Sequence, residues 1–71
     1  MFTLTDTFNN VPISRHRTLI VAVRAKRKHA RAIRRRNGPG SYITYEITGP
    51  DGKRVDYNDL INAEMTVDSE R

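Results

Sequence analysis

The chain contains no cysteine and no tryptophan. Without thiols, neither a disulfide staple nor a thiolate metal site can brace it, and a thiol nucleophile is excluded. Aromatic side chains are scarce, two Phe and three Tyr, and their positions offer no ladder on which the bases of a single strand could stack. The longest unbroken apolar run is Leu19 to Val23, far short of the roughly 20 residues that cross a bilayer. Met1 to Asn10 lacks the basic-then-apolar pattern of a secretory signal. Together these absences predict a soluble, cytoplasmic protein. The most informative gap concerns charge of one sign: between Asp6 and Glu46 there is no acidic residue.

Cations fill that gap. Residues 1–36 carry ten Lys or Arg against the single acid Asp6, a net of +9, whereas residues 37–71 carry three against seven acids, a net of −4. The sequence is an electrical dipole with a basic front half and an acidic back half. At 71 residues and 8.2 kDa it makes one domain, and a domain this short buries only about 60% of the surface its unfolded chain exposes.

Phe2 to Phe8 alternates apolar residues with Thr, the period-2 signature of a half-buried strand, although Asp6 falls on the apolar side. Asn9, Asn10 and Pro12 interrupt that pattern, and Ser14 is an N-cap candidate for a helix over residues 15–36. Asn37-Gly38-Pro39-Gly40 ends the helix, with Arg34, Arg35 and Arg36 at the negative end of its dipole. At 100° per residue, Leu19, Ala22, Val23, Ala30 and Ile33 share one side, with Lys26 among them. Arg24, Arg27, Lys28, Arg31, Arg34 and Arg35 occupy a separate arc. Tyr42 to Thr48 and Lys53 to Tyr57 read as two strands joined by the tight turn Gly49-Pro50-Asp51-Gly52. Asn58 then caps a short helix carrying Leu60, Ile61 and Met65.

The expected fold class is α+β, one long basic helix packed on a small three-stranded, mainly antiparallel sheet, in the order β-α-β-β with a short C-terminal helix. The domain is expected to span residues 1–65, with residues 66–71 a frayed polar tail. The expected core is Phe2, Leu4, Phe8, Leu19, Val23, Ile33, Ile43, Tyr45, Ile47, Val55, Tyr57 and Leu60. An alternative has residues 1–10 pairing with a second copy to form a homodimer.

No arrangement with catalytic content emerges. Asn37-Gly38-Pro39-Gly40 follows a helix instead of preceding one, unlike a phosphate-binding loop. His16 and His29 have no third ligand at helical spacing, so no metal site and no cofactor are expected. A solvated helix face normally intersperses acids among its bases, and this one does not. The sequence therefore predicts a non-enzymatic binding module that meets nucleic acid, duplex in preference to single strand, through Arg24, Arg27, Lys28, Arg31, Arg34 and Arg35. Arg15, Arg17, Lys53 and Arg54 are outlying contacts. The alternative is a small regulator or inhibitor, of the kind viruses and mobile elements encode, that docks the same face on an acidic protein surface. A membrane surface ranks last, because the apolar side of the helix is narrow and needed by the sheet.

Overall fold

The computed structural model describes residues 1–40 and 43–70. The fold is α+β, as expected: strands β1 (Phe2–Asp6), β2 (Val11–His16) and β3 (Tyr45–Thr48) with helices α1 (Leu19–Asn37) and α2 (Tyr57–Ser69). β1 is the central strand of an antiparallel sheet ordered β2-β1-β3. The helices pack on each other, α1 against one face of the sheet.

The third strand is not where the sequence placed it. Residues 11–16, of which 11–14 were expected to lead into the helix and Arg15 and His16 to open it, form the edge strand β2 and run back along β1, with Phe2 opposite His16 and Asp6 opposite Val11. The cause lies in Asp6. Its carboxylate accepts hydrogen bonds from the Phe8 amide at 2.8 Å, the Asn9 amide at 3.0 Å and the Asn9 side chain at 2.8 Å. Asn10 takes φ +58°, a left-handed conformation that Asn tolerates better than most residues. Asn9 and Asn10 thus complete a hairpin instead of merely breaking a strand. Pro12 is compatible with β2 because the strand lies at the edge, beside a bulge that skips Ile13 in the pairing.

Helix α1 consequently starts later. Its N-cap is Thr18, whose hydroxyl accepts from the Val21 amide at 3.2 Å. Ser14 is bonded instead to His16 Nε2 at 2.7 Å. The helix ends as predicted, with Gly38 at φ +103° donating its amide to the Arg34 carbonyl at 2.8 Å.

The return strand expected at Lys53 to Tyr57 is reduced to one bridge, Arg54 to Thr48, with the Val55 amide donating to the Ile47 carbonyl at 2.9 Å. The turn before it does form, Gly49 donating to the Lys53 carbonyl at 2.8 Å and Gly52 lying at φ +80°. Asp56 becomes the N-cap of α2, which stops the strand, and Asn58 lies inside the helix. α2 continues to Ser69, so the tail expected to fray is helical to that point. Tyr42, expected to open β3, and Arg71 lie outside the described residues.

The core is Leu4, Ala22, Val23, Ile47 and Ala63, with Phe2, Ile13, Leu19, Ile20, Ala25, Tyr45, Val55, Leu60 and Val67 packed around it. Two residues expected there are out. Phe8 is 76% exposed on the hairpin tip and Tyr57 is 72% exposed in the first turn of α2. Ile33 and Ile43, also expected there, are half-buried but belong neither to the core nor to the residues packed on it. The sheet face away from the helices carries Thr3, Thr5, Glu46 and Thr48, the partners and neighbours of residues alternating with Leu4 and Ile47.

Candidate functional site

Helix α1 carries eight cations, Arg24, Lys26, Arg27, Lys28, Arg31, Arg34, Arg35 and Arg36, and no acid. Its packing sorts them. The face holding Ala22 and Val23 is buried. The flank facing α2 meets carboxylates that sit on the last turns of that helix.

Glu64 lies at the centre of this contact. It accepts from Lys26 Nζ at 2.6 Å and from Arg27 Nη2 at 3.0 Å and Nε at 3.2 Å, and Arg27 Nη2 also reaches the Glu64 carbonyl at 3.2 Å. Arg27 turns its other guanidinium nitrogen to Asp68, and Arg24 grips Glu70 with Nε and Nη2. Burial pushes the Glu64 carboxyl upward, but the hydrogen bonds from Lys26 and Arg27 outweigh it and leave it below the ordinary glutamate range. The Arg27 hydrogen bond lowers Asp68, the Arg24 hydrogen bond lowers Glu70, and these pairings raise both arginines. The acidic back half of the chain therefore meets the first half of the basic helix.

The second half of α1 is left open. Among the described residues, Lys28, Arg31, Arg34, Arg35 and Arg36 have no carboxylate partner, and all five are exposed. Lys28, Arg31 and Arg35, at i, i+3 and i+7, form a single row along the helix, spanning about 10 Å at 1.5 Å per residue. Arg34 and Arg36 flank that row at 100° steps. Of the six residues picked out on the arc, Lys28, Arg31, Arg34 and Arg35 remain open, while Arg24 and Arg27 are engaged by α2.

The outlying cations are dispersed. Arg15 lies opposite Thr3 on the sheet face away from the helices, and Arg54 faces Glu46 on that same face at 3.7 Å. Arg17 precedes the cap of α1, and Lys53 lies in the turn after β3, both exposed. Arg15 and Arg54 therefore do not extend the α1 row.

His29 ties two elements together, whereas His16 is bonded to Ser14 within β2. His29 Nδ1 and the Tyr45 hydroxyl are 2.7 Å apart, their rings edge-to-face at 5.6 Å, which fastens α1 to β3. Among the described residues no group of three His, Cys, Asp or Glu is placed to hold a metal ion. No helix among them is long and apolar enough to cross a membrane.

Sequence reasoning passed over two features. Arg36 joins the open cluster, and the run Arg34-Arg35-Arg36 was its signal. Glu64 and Asp68, four residues apart on α2, share a helix face, and that spacing marks a double contact for one arginine. No protein-family model, no curated protein and no solved structure matches the chain.

Proposed function

We propose that the protein is a non-enzymatic module that binds duplex nucleic acid by laying the open row of α1 along phosphates. One observation carries the reading: five exposed cations on the last three turns of α1 are left without carboxylates in a chain whose acids are available to pair with others. Crowding like charges at i, i+3 and i+4 costs helix stability by itself. A polyanion removes that cost, and guanidinium groups match phosphate oxygens two at a time. Four of the five are arginines. Duplex is favoured over single strand because Tyr45 is half-buried against His29 and no aromatic side chain lies in the row.

A protein partner is the second reading, favoured by Tyr57, Ile61 and Met65, which stand exposed at i, i+4 and i+8 along α2. Fluorescence anisotropy with a random-sequence duplex separates the two. Changing Lys28, Arg31 and Arg35 to Gln removes three phosphate contacts at exposed positions, so affinity falls on the order of a hundredfold at physiological salt with an unchanged circular dichroism spectrum. Equal, weak binding by both proteins rejects the nucleic-acid reading in favour of a protein partner.

A further inference from the structure

The carboxylates facing α1 differ in how firmly they are held. Glu64 is in the middle of α2, half-buried, and engages two cations at once. Asp68 is in the last turn of the helix and Glu70 is its C-cap, with side chains 66% and 41% exposed. Asp68 meets one terminal nitrogen of Arg27, whose remaining guanidinium contacts go to Glu64. Glu70 takes two nitrogens of Arg24, a guanidinium itself 51% exposed. Arg24 continues the open row by one helical turn, since Arg24, Lys28, Arg31 and Arg35 are successive neighbours at i, i+4, i+7 and i+11. The grip of Glu70 on Arg24 is the two-point contact a phosphate would make.

We propose that Asp68 and Glu70 act as an intramolecular phosphate mimic, occupying Arg24 and Arg27 until a denser polyanion displaces them and lengthens the binding row. The proposal rests on the nucleic-acid reading given above and adds the regulation of that surface. Exposed ion pairs of this kind are individually weak and screened by salt, so they yield to a duplex, which presents one charge per about 1.7 Å of its axis. An isolated or dilute anion does not repay their loss. Glu64 is the fixed part of the contact, keeping α2 on α1 while its last turn lets go. The consequence is a threshold: sparse anions meet five cations, and duplex recruits seven.

The test compares wild type with the double variant Asp68→Asn, Glu70→Gln by anisotropy against one random duplex at several salt concentrations. A control of equal charge change, Asp56→Asn with Asp59→Asn, alters two exposed acids at the other end of α2. The phosphate mimic predicts that the 68/70 variant binds roughly tenfold tighter than the control at low salt. In wild-type protein it further predicts that the Nε–H resonance of Arg24, which donates to Glu70, moves when duplex is added, a readout independent of how the variant folds, whereas the Arg27 Nε–H, which donates to Glu64, keeps its partner. Salt-steep wild-type binding with the 68/70 variant no tighter than the control, or with the Arg24 resonance unmoved, overturns the proposal and leaves the nucleic-acid reading standing. Absence of wild-type binding removes both.

Discussion

Asp6 shows how much one side chain decides. By period it is misplaced, a carboxylate on the buried side of a strand, yet it is only 6% exposed and fully engaged by the turn it closes. The backbone hydrogen bond from Asn9, with help from its side chain and from Phe8, holds the Asp6 carboxyl below the usual aspartate value of 3.8. A folded-state value lowered in this way gives stability that is present above the unfolded value and is lost as pH falls through the folded one. Asp6→Ala is therefore expected to lower the melting temperature at pH 7, with the gap to wild type closing as pH falls well below 3.8 and the native carboxyl protonates. An unchanged gap across that range would show that the turn does not depend on the charged form. Leu4, fully buried beneath α1, sets the other residue-scale prediction. Truncation to Ala costs about 3 kcal/mol, a large part of the roughly 4–10 kcal/mol expected for a chain of this length, and urea unfolding reads it.

At the scale of elements, the sequence was legible where signals were local and misleading where pairing partners decided. The end of α1 is written in Asn37 and Gly38, and its charge in Arg34 to Arg36, so both were readable. Its start was not, because Ser14 and Thr18 are equally good caps and only the pairing of residues 11–16 with β1 excludes the first. Lys53 to Tyr57 fits a strand by composition, but after Val55 the chain turns into α2 at Asp56 and only one bridge is made. The α1–α2 contact carries its own expectation. Glu64→Gln removes the shared partner of Lys26 and Arg27, and a buried-edge carboxylate with a lowered folded-state value stabilises the protein above its ordinary pH of ionisation and not below it. Thermal unfolding should therefore separate this variant from wild type at pH 7 and bring the two together as pH drops well below 4.5. A constant difference would assign the effect to packing instead of charge.

For the whole molecule, the two halves of the sequence dipole were legible as halves, and neutralisation of the helix by the acidic half stood as an alternative, but which residues meet was not legible. That three carboxylates of α2 and its cap would take Arg24, Lys26 and Arg27, and spare the rest, depends on the angle at which the helices cross, which no local pattern encodes. The fold places acids against the first half of α1 and leaves the cations of the second half exposed, without carboxylate partners among the described residues. The dependence of wild-type affinity on salt tests most directly the binding of duplex phosphates by these exposed cations. Five engaged phosphates predict that the logarithm of affinity falls against the logarithm of salt with a slope of about −4.5, becoming steeper if Arg24 and Arg27 are recruited. A slope near zero, or no measurable binding at low salt, would contradict it.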